Sequence, residues 1–600
     1  MTNSPFSDRS GWLRAALAPL RGEFRAVILV SAFVNLLAVA APVFVLQVYD
    51  RVISHSGFAT LYGLVVGMGI AILFDFILRQ ARAKLLQDVA LRIDIGLGRR
   101  LMDKMLSLPL AVLESRPGAY WQALMRDVEA VRNLFSGAAA VLVADLPFAL
   151  LFAAIIVVIA TPIAWVLALL LPAFLLIGWL AGRLITQTSE RERAAGISRD
   201  SALGEMVAGW DTVKGLGLDR SFIANWEENH AAVVAHSVAR GTQADSFLNL
   251  SLVFGVAATV LMTAVGAIAI LDQKMTVGAL IAANMLAARL FAPFQQLTML
   301  WRSYAQTRQS IARLDEVFRL AEERRESPVR FERPEGRITL DGVCFGYDEA
   351  APPLINDLRL NIEPNGFYGL VGGNGSGKTT LIKLMLGLYA ASDGRVLIDG
   401  VDIAQISRED RARWYGYMPQ DCRLFAGALR ENIARGTAGD DAADDSQVIA
   451  AARLAGVHET IIRLADGYGT MVSEAGGNLS AGVRQRVALA RALVHDPVIL
   501  LLDEPSAHLD HDGERALCET LSTLARDHVV VVATHSQTLL SACHSLLVIE
   551  QGRAKWAGTP SDILPRLFSG KDPAKDPGTG EAPPNVNDGT RNGTPAGESE

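Results

Sequence analysis

Six hundred residues, half of them hydrophobic and a fifth charged, leave room for several domains, and the net charge of −7 gives no reason to expect nucleic-acid binding. A mean hydropathy of +0.27 alongside that charge suits a membrane domain joined to a soluble one. The four cysteines (Cys344, Cys422, Cys518, Cys543) lie in the second half at no metal-ligand spacing, which reads as buried, reduced thiols of a cytosolic domain.

Residues 1–25 carry Arg9, Arg14, Arg21 and Arg25 ahead of a long apolar run. No small-residue cleavage site closes a short apolar core, so this segment reads as a cytoplasmic N-terminus rather than a removable signal peptide. Six apolar stretches then approach the roughly 20 residues needed to cross a bilayer. They fall near Val27–Val48, Thr60–Leu78, Ala138–Ala160, Ile163–Leu184, Leu248–Leu271 and Val277–Leu297, within a transmembrane domain set at 26–322. The segments after the second and fourth stretches are long and basic, carrying Arg79, Arg82, Lys84, Arg92, Arg99, Arg100 and Lys104, then Arg183, Arg191, Arg193 and Arg199. The positive-inside rule puts both, the N-terminus and the C-terminal half in the cytoplasm.

Charged groups within spans need partners or water. Asp75 and Arg79, four apart, can pair on one helix face, whereas Asp145 and Arg289 are expected either to face a central pathway or to form an inter-helix pair. Pro42, Pro147 and Pro293 are expected to mark kinks. In the polar extensions, Tyr120–Arg126 and Glu205–Lys214 are candidates to contact the C-terminal domain.

Ala312–Arg330 reads as a charged helix, and Arg333–Gly336, with Pro334, punctuates it. Beyond that point, strand-like runs such as Val498–Leu502 and Val529–Ala533 alternate with helical patterns, as in an α/β domain, here set at 330–567. Residues 568–600 are rich in Gly, Pro, Asn, Asp and Glu and should be disordered. Their Asn592-Gly593-Thr594 matches a glycosylation pattern that a cytoplasmic tail would not use.

The chemistry starts at Gly372–Thr380, GGNGSGKTT. Gly372, Gly377, Lys378 and Thr379 fit the phosphate-loop pattern, with Gly373, Asn374, Gly375, Ser376 and Thr380 completing the loop. The glycines let backbone N–H groups close around phosphate oxygens at a helix N-terminus. Lys378 would hold the β and γ phosphates, and Thr379 would ligate Mg²⁺. The run Val498–Glu504, VILLLDE, delivers Asp503 to the same ion and Glu504 toward an attacking water. Thr534-His535-Ser536 follows another apolar strand and places the His535 imidazole near the γ-phosphate.

Asn478–Gly482, NLSAG, precedes the helix-like VRQRVALARAL, and there the sequence resembles the ATP-binding cassette (ABC) family with its LSGGQ signature. The resemblance implies two cassettes facing head to tail, with Ser480 and Gly482 of each completing the other's ATP site. It also implies that Gln420 is a lid residue beside Mg²⁺, that Tyr347 stacks on adenine, and that Leu509-Asp510 forms the dimer-communication loop. Glu474 would sit where exporters couple cassette to membrane helices. Two positions depart from the pattern: Ala481 replaces the first signature glycine and Val483 the glutamine. A Cβ at 481 is tolerable unless the residue needs a positive φ, while the change at 483 removes a polar contact. Glu504 and His535 are both present, so an active cassette is expected.

Spans ahead of a cassette, with two long extensions, resemble a type I ABC exporter half-transporter. The implied fold is a membrane all-α six-helix exporter domain followed by an α/β P-loop cassette. Finer matches, Asn35–Val52, Pro419–Arg435, Ala451–Tyr468 and Leu509–Leu517, are similar to the bacterial type I secretion subgroup that exports proteases and repeat-in-toxin proteins. That subgroup begins directly with its membrane domain, so no leader-peptide cleavage is expected. The implied cofactors are ATP and Mg²⁺. The implied setting is the bacterial inner membrane, as a homodimer with a periplasmic adaptor, an outer-membrane channel and an exported polypeptide carrying an uncleaved C-terminal signal. Two alternatives stand beside this: an exporter of a small molecule, lipid or cyclic peptide, and a weakly active regulatory subunit paired with a different half-transporter.

Overall fold

In a bilayer each backbone polar group must be satisfied within its own segment, so long apolar runs fold as helices. The computed structural model describes residues 11–54, 57–323, 332–348, 351–435 and 443–568. The tail expected to be disordered, with Asn592, lies outside the described residues apart from Phe568 at its start. The chain divides into two units, one comprising Met1–Leu106 and Arg116–Leu320, the other Ser107–Ser115 and Ala321–Glu600.

The first unit is helical. Its principal helices are α1 (Arg21–Leu37), α2 (Ala40–Gln47) and α3 (Phe58–Leu106); after α4 (Leu110–Glu114), which belongs to the second unit, come α5 (Gly118–Ser136), α6 (Ala138–Ile159), α7 (Ala164–Ala208), α8 (Asp219–Leu271) and α9 (Val277–Arg319). Among the described residues, five helical stretches are long and apolar enough to cross a membrane, and a sixth, shorter one is Val277–Pro293. The first apolar run is broken between α1 and α2, and Pro42 sits in the first turn of α2, where its missing N–H costs nothing. Pro147 and Pro293 lie inside α6 and α9, as does Pro172 inside α7.

Polar contacts tie these helices together. Asp75 and Arg79 pair at 2.7 Å. Asp145 does not pair with Arg289, which is exposed on α9. Its partner is Arg82, whose guanidinium reaches its two oxygens at 3.0 and 3.2 Å, while the Asn35 amide donates at 2.8 Å. Arg82 also donates to Ser31 at 3.3 Å and is only 8% exposed. The cluster joins α1, α3 and α6, so Arg82, one of the basic residues counted for the positive-inside rule, is buried and partners Asp145. Near the other end of α9, Arg313 and Ser310 both bond the buried Asp127 of α5. Trp12 stacks on Phe318 with ring centroids 5.0 Å apart, fastening the N-terminal segment to α9.

The second unit is the α/β domain. An antiparallel sheet of β1 (Ile338–Phe345), β2 (Ile355–Ile362), β4 (Asp393–Ile398) and β5 (Val401–Asp402) runs in the order β2-β1-β4-β5. The larger sheet contains β3 (Gly366–Val371), β6 (Tyr415–Met418), β7 (Ile499–Asp503), β8 (Val529–Ala533), β9 (Ser545–Glu550) and β10 (Arg553–Gly558), in the order β10-β9-β3-β8-β7-β6. All its pairings are parallel except β9 with β10. Strands β3, β7 and β8 are buried along their whole length, which explains their apolar sequences, broken only by Asp503 at the end of β7.

The short helix α4 packs on this domain rather than on the helical unit. The Glu323 N–H donates to Ser107 O at 2.7 Å, and the Glu114 carboxylate is bonded by Lys383 at 2.9 Å and by the Tyr389 hydroxyl. Burial raises the Glu114 pKa, but the Tyr389 and Lys383 hydrogen bonds outweigh it and hold the carboxyl below its ordinary range. The segment grouped with the cassette is therefore Leu110–Glu114, just before the Tyr120–Arg126 stretch singled out from the sequence, which belongs to α5 of the first unit. All four cysteines carry free thiols, but only Cys543 is buried; the other three are partly exposed.

Candidate active site

Parallel register builds the site. Leu370, Ala533 and Asp503 lie side by side on β3, β8 and β7, so the segments leaving these strands all emerge at one edge of the sheet. Those segments are the Gly372–Gly377 loop, Thr534-His535 and Glu504. Ligands of open parallel sheets bind at that carboxyl edge. Gln420 lies exposed two residues beyond Met418, which pairs with Leu502 on β7.

Gly375 and Gly377 have φ of +77° and +99°, a region that side chains with Cβ rarely adopt, and Gly377 caps α10 (Lys378–Met385). A Cβ on Gly372 would meet both Ile549 O and Ser376 Oγ at 2.5 Å, while one on Gly373 would meet nothing within 4 Å. The Ser376 hydroxyl is buried with no hydrogen-bond partner. A glycine-lined cradle with an unsatisfied hydroxyl and a helix N-terminus fits a phosphate chain. Gly372→Ala should overpack this cradle at a cost of about 1–3 kcal/mol. ATP affinity is then expected to fall by about tenfold or more in a titration with a fluorescent nucleotide.

The charged groups converge. Lys378 Nζ donates to Gly372 O at 2.8 Å and lies 3.3 Å from His535 Nε2. That imidazole is 3.7 Å from Glu504 Oε1. Burial lowers the Lys378 pKa, opposed by the charges of Glu504 and Asp503. Thr379 Oγ1 donates to Asp503 Oδ2 at 2.6 Å. Burial raises the pKa of Asp503, and the bond from Thr379 opposes that. Two hard oxygen donors side by side at the foot of the cradle suit Mg²⁺, which takes few protein ligands and keeps several waters. Tyr347 is exposed, its hydroxyl 2.9 Å from Thr380 Oγ1 and its ring edge-on to Phe345 and Tyr389.

Glu504 has φ +48°, in the left-handed region that costs a non-glycine residue energy. Its N–H donates to Ala533 O at 2.8 Å and its Oε2 accepts from Thr534 at 3.4 Å. One more contact, absent from the residues singled out in the sequence, comes from the buried Gln485, whose amide donates to Glu504 O at 2.9 Å. Its signal was available: a glutamine among the buried positions of a helix of alternating arginines and apolar residues.

Ser480 stands apart, capping α11 (Ala481–Leu493) by accepting from Val483 N at 3.4 Å. Ala481 is an ordinary helical residue and absent from the positive-φ positions, so its Cβ is tolerated. Val483 packs against the domain core instead of presenting an amide. A Cβ on Gly482 would lie 3.0 Å from His508 O, so glycine lets α11 approach the turn after β7. The Glu474 side chain lies outside the described residues.

A nucleotide-binding P-loop cassette behind a helical, apolar domain defines an ATP-driven membrane transporter. Comparison with known proteins agrees. The ABC transporter transmembrane region matches residues 24–294 and the ABC transporter cassette matches 355–507. The chain is 31% identical, over 92% of its length and 77% of the relative's, to the cyclolysin secretion/processing ATP-binding protein of Bordetella pertussis. It is 30% identical to the alpha-hemolysin translocation ATP-binding protein of Escherichia coli O157:H7, covering 93% of this chain and 79% of that one. A bacterial Atm1-family ABC exporter with ATP bound shares the fold, with a TM-score of 0.80, 24% identity, and 92% and 97% of the two chains covered. The protein belongs to the ABC transporter family, as a multi-pass membrane exporter whose ATPase drives transport.

Proposed function

We propose that this exporter is the inner-membrane motor of a type I secretion system, a homodimer that drives an unfolded polypeptide with a C-terminal signal out of the cell. The observation that carries the ATPase part is the gathering of Lys378, Thr379, Asp503, Glu504 and His535 at one sheet edge, joined by contacts of 2.6–3.7 Å. The protein-secretion part rests on similarity along most of the chain to two toxin-secretion ATP-binding proteins.

In this reading the Gly372–Gly377 backbone and Lys378 hold the phosphates of ATP, and Tyr347 offers its exposed ring to the adenine. Thr379, Asp503 and Gln420 would hold Mg²⁺, which supplies charge neutralisation at the phosphates. Glu504 orients the attacking water, and His535 contacts the γ-phosphate. Ser480 and Gly482, engaged here with α11 and the His508 turn, complete the ATP site of a second copy. A periplasmic adaptor and an outer-membrane channel would continue the route, with the cassette and both termini in the cytoplasm.

Deleting the gene and comparing culture supernatants tests the substrate class. Loss of one or a few secreted polypeptides, restored by the parent gene but not by its Glu504→Gln form, is the expected result. An unchanged set of secreted proteins with a small molecule or lipid retained inside the cell would overturn protein export.

A further inference from the structure

Gln485 lies just inside α11, 4% exposed, and its side-chain amide is engaged at both ends. Nε2 donates to Glu504 O at 2.9 Å, and Oε1 accepts from His508 N at 3.2 Å. A donor and an acceptor thus close one amide across the whole turn from Glu504 to His508. Only a side chain carrying both groups at this reach satisfies both backbone partners.

That turn needs holding. Glu504 sits at φ +48°, and such conformations persist only where the surroundings over-determine them. On one side its N–H is tied to Ala533 O; on the other its carbonyl accepts from Gln485 at 2.9 Å and, within the turn, from Ala507 N at 3.3 Å. Gln485 makes the shorter bond and the only one of the two that reaches the turn from α11. The carboxylate itself accepts from Thr534 at the long distance of 3.4 Å, so its direction depends mainly on the backbone beneath it. Gly482, three residues earlier on α11, lies so close to His508 O that a Cβ would stand 3.0 Å away. The signature helix therefore touches the Glu504–His508 turn at two points.

We propose that Gln485 is a positioning residue for hydrolysis, fixing the aim of Glu504 and making it depend on the placement of the signature helix. Glu504 serves this chain's own ATP, whereas Ser480 at the start of the same helix meets the ATP of the second copy. The inference rests on that shared-site reading. A shift of α11 when Ser480 engages the partner's nucleotide passes through one amide to the Glu504 backbone, linking the two sites.

The test uses the full chain in lipid vesicles, with ATP turnover measured against ATP concentration for the parent, Gln485→Leu and Gln485→Glu. Leucine fills the space without either hydrogen bond. Its kcat is expected to fall by about tenfold to a hundredfold, as when a preorganised group loses its support, with KM within about twofold of the parent. Glutamate keeps both bonds while its buried carboxyl is neutral and loses the donor when it ionises. The ratio of Gln485→Glu to parent kcat is therefore expected near one at about pH 6 and to drop about tenfold by about pH 9. A residue that only packs the helix would lose kcat only where ionisation of the buried carboxyl also lowers the thermal midpoint. The midpoint is therefore followed over the same pH range, and a fall in kcat at an unchanged midpoint is the expected result. Parental kcat in Gln485→Leu, a loss appearing only in KM, or a flat Gln485→Glu ratio overturns the proposal. If Gln485→Leu does not fold, the pH profile of Gln485→Glu decides alone. A parent without turnover would instead sink the motor reading, which distinguishes the two failures.

Discussion

Replacing Glu504 with glutamine is expected to lower ATP turnover about a thousandfold while leaving ATP binding intact, within the range for removal of a general base. The substitution keeps the side-chain volume and spares the φ of +48° and the backbone bond to Ala533. It removes the negative charge 3.7 Å from the His535 imidazole, and with it the acceptor that can polarise water. Lys378 and the glycine cradle are untouched, so the nucleotide should still be held. Steady-state phosphate release and equilibrium nucleotide binding on the same preparation check both halves. Turnover near the parental rate would mean that another group activates the water.

The second large effect lies in the membrane domain. Arg82→Leu should destabilise the protein by about 3–5 kcal/mol, because it strands the Asp145 carboxylate with only the Asn35 amide for company. Arg82→Met combined with Asp145→Leu removes both charges and should recover most of that loss, since well-packed apolar pairs often replace buried ion pairs without penalty. The thermal midpoint of the purified protein in detergent, with monodisperse yield, checks it. Equal destabilisation by the single and double variants would show that the pair's packing, and not its charge, holds α1, α3 and α6 together.

These cases show which parts of the molecule its sequence announces. The phosphate loop and the Asp503-Glu504 pair are legible because their chemistry needs particular residues at contiguous positions. The strands were legible for a related reason: full burial demands unbroken apolar runs such as Val529–Ala533. Contacts between distant segments were not. Nothing local to Arg82 points to Asp145, and in the sequence it is one of several basic residues of a long polar segment. Glu114 meets Lys383 and Tyr389 across more than 260 residues, and nothing local to Leu110–Glu114 marks it as part of the cassette's unit, so it was not among the candidate segments Tyr120–Arg126 and Glu205–Lys214. The signature lay between these extremes. Ala481 and Val483 are visible departures from its pattern, but only the backbone shows that 481 is ordinary helix and that 483 turns toward the core.

The central claim is that two copies share each ATP site, and mixed dimers test it most directly. In a Glu504→Gln background, which traps ATP, Lys378→Ala and Ser480→Arg can be placed in different chains or in the same chain opposite an otherwise unaltered partner. Shared sites predict one occluded ATP per dimer when the lesions are in different chains, because both then fall on the same site. They predict none when one chain carries both. The reverse pattern would contradict the account, since it would mean that each chain completes its own site.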